Sequence, residues 1–147
     1  MNKLYGFLID SSVLYLPFQQ QLISRKGQAC QLRSTMNQLL NYLILHSSDG
    51  VVTDDEIIFN VWEKNELSGT YNRLWQVMQN LNKNLNKLGV REGLFMRVRG
   101  KGYYLISDKV IPLYTRTEII NRSIKQVRDL NSFSVNEAIV PENGIAR

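Results

Sequence analysis

One cysteine, one histidine and three prolines among 147 residues set the first limits on this chain. Cys30 has no partner for an internal disulfide, so a reducing cytoplasm is the default compartment. Its place in the alternating run Ala29-Cys30-Gln31-Leu32 predicts a buried structural thiol rather than a reactive one. With His46 as the single histidine, no His/Cys set at metal-ligand spacing exists, and neither a metal nor a cofactor is expected. The chain has no Gly-rich phosphate loop and no Gly-x-Ser-x-Gly turn, so an enzyme is not expected. His46 falls near the end of a helical run, where a cation complements the negative end of the helix dipole. No apolar run approaches the roughly 18–20 residues that span a bilayer. The start, Met1-Asn2-Lys3-Leu4-Tyr5, is not patterned as a signal peptide, because its apolar patch is short and Asp10 interrupts it.

What is present suits one domain with a sizeable core plus a short extension. Acidic residues are outnumbered, giving a formal charge of +5, and the distribution says more than the total. From Asp49 to Glu66 there are six acids and one base, Lys64. From Thr70 to Lys101 there are seven bases (Arg73, Lys83, Lys87, Arg91, Arg97, Arg99, Lys101) and one acid, Glu92. This change of sign predicts an electropositive surface built by the later segment.

Short aromatic and β-branched runs at Leu4–Ile9, Val13–Leu16, Gln21–Ser24 and Gln28–Arg33 are separated by turn residues, and predict an antiparallel meander of four strands. Ser34 is then placed to cap a helix in which Met36, Leu39, Leu40 and Leu43 recur at i, i+3, i+4 and i+7. Thr53-Asp54-Asp55-Glu56 has the pattern of a capping box opening a short second helix, with Ile57, Ile58, Val61 and Trp62 facing inward. Its three acids could be mistaken for a metal or acid–base cluster, but they complement the positive end of the dipole. After the polar connection Glu63–Gly69, a third helix is expected from about Thr70 to Leu88, with Gly89 at the C′ position. Leu74, Val77, Met78, Leu81, Leu85 and Leu88 form its apolar stripe, and the opposite face is centred on Asn72, Gln76, Gln79 and Lys83. Arg73, Trp75, Asn80 and Lys87 flank that face. Amides and cations on an exposed helix are the groups that read base edges and phosphates in a major groove.

The stretch Leu94-Phe-Met-Arg-Val-Arg-Gly-Lys-Gly-Tyr-Tyr-Leu105 reads as a tight β-hairpin, with Gly100 and Gly102 supplying positive φ at the turn. Arg97, Arg99 and Lys101 gather at its tip, where no core can neutralise them, which suits a polyanion. Beyond Ser107 the chain changes character. A tail over 108–147 contains Ile119, Ile120, Ile124, Val127 and Leu130 at near-helical spacing, which predicts an amphipathic helix over about 115–132 followed by a flexible end.

Strands, three helices and a basic hairpin follow one another in the order of a winged helix-turn-helix. Residue by residue, the chain resembles the OmpR/PhoB-type effector domain, including its ToxR-like membrane-tethered relatives. The resemblance rests on Leu39-Leu40 with Leu43, Val51-Val52-Thr53, Glu56-Ile57, Val61-Trp62, the leucines and Met78 of the third helix, and Val98-Arg99-Gly100-Lys101-Gly102-Tyr103. It covers about residues 1–107 and implies an α+β winged helix-turn-helix, with a four-stranded antiparallel sheet, a three-helix core and a hairpin wing. The third helix would then enter the major groove, with Asn72, Arg73, Gln76, Gln79, Asn80, Lys83 and Lys87 toward DNA. Arg99 would reach an AT-rich minor groove, whose narrow shape concentrates negative potential, with Arg97 and Lys101 at phosphates or the rim.

Where the family pattern has Arg after the leucine matching Leu81, this chain has Asn82. It carries no receiver domain with a phosphoacceptor Asp, so control by phosphorylation is not expected. The resemblance also implies RNA polymerase as a partner through the connection before the third helix, which is short here, and dimers on tandem sites. The expectation is a bacterial, sequence-specific transcription regulator, cytoplasmic in itself or as the cytoplasmic part of a longer membrane-tethered protein. The competing expectation is a winged-helix module that binds protein rather than DNA; such a wing should be apolar, and this one carries Arg and Lys.

Overall fold

The computed structural model describes residues 2–91 and 93–116 of the chain. They divide into one unit of residues 6–112 and another that holds residues 2–5 and 113–116. The N-terminal meander forms as the alternation predicts: β1 (Asn2–Ile9), β2 (Val13–Leu16), β3 (Gln21–Ser24) and β4 (Ala29–Gln31), with β2 antiparallel to both β1 and β3 and β4 antiparallel to β3. Asp10 and Ser11 take the left-handed conformation that turns β1 into β2. The alternation delivers Phe7, Ile9, Val13, Tyr15 and Leu22 to the core. Cys30 is half-buried on β4 rather than enclosed, because β4 has a partner on one side only among the described residues.

Helix α1 (Ser34–His46) buries Leu39, Leu40, Leu43 and Ile44. Ser34 is its first helical residue and not its cap. Arg33 holds the cap position, and no side chain serves it there. His46 ends the helix as expected and lies against the Tyr42 ring, with centroids 4.3 Å apart. The buried Tyr15 hydroxyl ties the first sheet to this helix, donating to Asn37 Oδ1 at 2.6 Å.

After the two-residue strand β5 (Val52–Thr53) comes α2 (Asp54–Val61), and the capping box is complete. Thr53 Oγ1 accepts the Glu56 N–H at 3.1 Å, and Glu56 Oε1 accepts the Thr53 N–H at 3.4 Å. A cap of this kind is worth about 1 kcal/mol. A short 3-10 turn over Glu63–Asn65 leads away from α2, and Asn65 Nδ2 donates to the Val61 carbonyl at 3.1 Å, satisfying one of the orphan carbonyls.

Helix α3 (Tyr71–Lys87) is capped by Thr70, whose side chain accepts the Arg73 N–H at 3.0 Å. Leu74, Met78, Leu81 and Leu85 are almost wholly buried, each gaining about 1.5–3 kcal/mol from leaving water. The helix closes as a Schellman motif on Gly89, at φ +109, with Val90 N–H on the Leu85 carbonyl and Gly89 N–H on that of Asn86.

The hairpin joins β6 (Phe95–Val98) to β7 (Gly102–Leu105), antiparallel, and β5 pairs with the far side of β7 to make a three-stranded sheet ordered β5-β7-β6. A further strand, β8 (Val110–Arg116), completes a first sheet ordered β4-β3-β2-β1-β8. The local pattern does not predict this strand, because Pro112 reads as a breaker. An edge strand tolerates proline, whose missing N–H can face away from the ladder. The amphipathic helix expected over 115–132 and the flexible end lie, beyond Arg116, outside the described residues.

Candidate nucleic-acid interface

The amides and cations expected at DNA all reach solvent. On α3, Asn72, Arg73, Gln76, Gln79, Asn80, Lys83 and Lys87 are exposed, and Asn82 is half-buried. The face follows from the helix period: four nearly inaccessible apolar residues on one side leave the polar ones no other direction. Tyr71 and Trp75 stand among them, 62% and 57% exposed, one helical turn apart. The Tyr71 hydroxyl donates to Asp55 Oδ1 at 2.5 Å, and that bond, ahead of the Asp55 charge, raises the phenol above its ordinary range.

At the wing tip Arg99, Gly100 and Lys101 form the turn, closed by the Lys101 N–H on the Val98 carbonyl at 2.9 Å. The side chains of Arg99 and Lys101 are exposed and have no hydrogen-bond or ion-pair partner among the described residues. Both glycines are needed, but for different reasons. Gly100 holds φ +73, as the turn requires. Gly102 has no positive φ; it lies so close to β5 that a Cβ would overlap the Val52 carbonyl.

Arg97 is placed differently from the other cations. Its two terminal nitrogens meet Asp54 Oδ1 at 2.6 Å and Oδ2 at 2.9 Å, and its guanidinium carbon lies 4.7 Å from the centre of the Tyr103 ring. The bond to Asp54 raises the Arg97 pKa further. Sheet register explains the arrangement. Val52, Tyr103 and Arg97 are consecutive cross-strand partners over β5, β7 and β6, so Arg97 and Tyr103 share a face, and Asp54 follows directly after β5. Sequence spacing could not show this, because 43 residues separate Asp54 from Arg97. Burial is the first cause that raises the Tyr103 phenol, with the neighbouring guanidinium acting against it.

Between α3 and the wing runs an open cleft of about 240 Å³, with Tyr71, Asn72 and Trp75 on one side, Arg97 and Tyr103 on the other, and Asp54 between them. One unit thus carries a helix face rich in amides and a hairpin tip with two cations that have no partner among the described residues.

The sequence profile of the family described as "Transcriptional regulatory protein, C terminal" matches residues 27–105. The chain belongs to that family, the OmpR/PhoB-type DNA-binding domains. Solved structures agree with this OmpR/PhoB-type assignment. The DNA-binding domain of E. coli CadC is 27% identical, with a TM-score of 0.62 over 74% of this chain and 96% of that one. The DNA-binding domain of CpxR from E. coli is 25% identical, with a TM-score of 0.51 over 66% and 91%. The response regulator AdeR DNA-binding domain, solved in complex with an intercistronic region, shares the fold at 17% identity, with a TM-score of 0.51 over 64% and 93%. No curated protein matches the chain in sequence. In this OmpR/PhoB-type domain no helix among the described residues is long and apolar enough to cross a membrane.

Proposed function

We propose that this chain is a bacterial, sequence-specific transcription regulator that acts in the cytoplasm and grips double-stranded DNA in two adjacent grooves. Helix α3 enters the major groove. Asn72, Gln76, Gln79 and Asn80 meet base edges there, and Arg73, Lys83 and Lys87 meet phosphates. Arg99 enters the neighbouring minor groove and favours narrow, AT-rich steps, with Lys101 at its rim. Arg97 serves the wing from behind, since its guanidinium is already engaged. RNA polymerase as the responding partner, and copies paired on tandem sites, complete the reading by analogy with the family.

The observation that carries the reading is the free pair of cations at Arg99 and Lys101, held out by a tight turn beside a helix face of amides. A wing built for an apolar protein surface would have no use for them. Selection from a random duplex pool, followed by hydroxyl-radical footprinting, tests it. A short base-specific core flanked by protected AT-rich minor groove is the expected outcome. Binding without sequence preference, or binding insensitive to salt, would favour a protein-interaction module instead.

A further inference from the structure

Among the described residues strand β6 pairs only with β7, and β7 meets β5 over two residue pairs, Val52 with Tyr103 and Thr53 with Gly102. The root of the wing is anchored: Leu105 is buried and its N–H donates to the Ser47 carbonyl at 3.1 Å. Toward the tip only β6 and β7 continue, and a two-stranded ribbon is marginal by itself, so the angle of its tip is easily perturbed. Two contacts act on that angle. The Asp54 N–H donates to the Lys101 carbonyl at 2.9 Å. The Asp54 carboxylate holds the Arg97 guanidinium at both ends, with the Tyr103 ring below it. A planar fork bound by two bonds along one edge and packed over a ring on one face has a single orientation, unlike a lysine in the same place. The Asp54 side chain is 15% exposed and that of Arg97 is 43% exposed, so the pair is partly shielded from the salt screening that weakens surface pairs.

We propose that the Asp54–Arg97 pair is a latch that fixes the wing against the helix-turn-helix, with both residues positioning the Arg99 turn for DNA rather than contacting DNA. The inference rests on the two-groove reading above. Arg97 is a poor phosphate ligand while Asp54 holds it, because a phosphate brought to that guanidinium would also meet the carboxylate. Asp54 in turn would repel DNA from the lip of the cleft if Arg97 did not neutralise it. The pair therefore removes an anion from the interface and converts a cation into a strut.

The test uses opposite charge changes in the full chain on a selected duplex. Asp54→Asn removes a negative charge and Arg97→Gln a positive one. If charge alone mattered, the first would tighten binding and the second would weaken it. A latch requires both to weaken it, each by roughly fivefold or more. Arg97→Lys, which keeps the charge but not the fork, should weaken it as well. Combined with Arg99→Ala, neither change should add a further loss, since the wing would have no reader left to position. In the free protein, Asp54→Asn should speed amide exchange at residues 99–101 while α3 stays protected. Tighter binding by Asp54→Asn, a salt slope reduced by about one in Arg97→Gln, or unchanged exchange at the tip would overturn the latch. If the wild-type chain shows no site-specific binding, the two-groove reading fails, and the exchange measurement still judges the latch.

Discussion

The carbonyl of Val52 in β5 lies directly over the α-carbon of Gly102 in β7, leaving no space for a side chain. A Cβ at residue 102 would also come within 2.8 Å of the Thr53 Cα, and both obstacles are backbone. Gly102→Ala should therefore force β5 and β7 apart and cost about 3 kcal/mol in urea unfolding. Gly100→Ala meets open space and bears only its left-handed φ, so its cost should be nearer 1 kcal/mol. Equal costs at the two positions would refute this division of roles.

Arg99→Ala should weaken binding to a selected site by roughly 1–3 kcal/mol and flatten the preference for AT-rich flanks. A mobility-shift titration on sites differing only in the flanks measures both effects. Full retention of affinity would remove Arg99 from the minor groove.

Lys83 lies on the exposed face of α3, where a phosphate contact is the role assigned to it. Lys83→Ala should weaken binding to all sequences alike and lower the slope of log K against log salt by about one. A slope identical to wild type would exclude a phosphate contact.

Asp10, at the turn between β1 and β2, accepts the Arg91 backbone N–H at 3.0 Å, 81 residues away in sequence. That bond is the largest cause holding the Asp10 carboxyl below the usual range; the Arg91 and Lys109 charges add to it, and burial opposes them. The folded pKa is depressed, so the stabilisation is complete above the unfolded carboxylate value near ~3.9 and is lost as pH falls through the folded value. Asp10→Asn should thus be less stable than wild type at neutral pH, with the gap closing in strong acid. Denaturant melts across that range decide it; a gap independent of pH would mean the carboxylate charge is not what matters.

The Tyr15 hydroxyl is enclosed and bonded to Asn37 by both its side-chain and backbone oxygens, at 2.6 and 3.0 Å, and burial raises its pKa far above the ordinary phenol value. Tyr15→Phe should cost about 1–2 kcal/mol in thermal unfolding without changing DNA affinity, since it strips two acceptors on α1 of their donor and touches none of the residues assigned to DNA.

Local chemistry made much of this protein legible in its sequence. The period of α3, its Thr70 cap, its Gly89 stop, the Thr53–Glu56 box and the alternating strands each depend on neighbours within a few residues, so reading the chain locally was enough. The same holds for the exposed amides of α3, because a buried stripe fixes the opposite face. Pro112 concealed β8, because proline's effect depends on whether its strand lies at an edge, and only the assembled sheet decides that. The missing cap at Ser34 and the half-buried Cys30 likewise depended on chain paths that composition does not record. The sequence by itself determined which charges exist and which elements carry them. Tertiary structure alone decided which charges are free. Sheet register set Arg97 over Tyr103 and against Asp54, while the turn left Arg99 and Lys101 without partners among the described residues. Pairing across 43 residues follows from register and the path of the chain, and neither is written in the local pattern of residues.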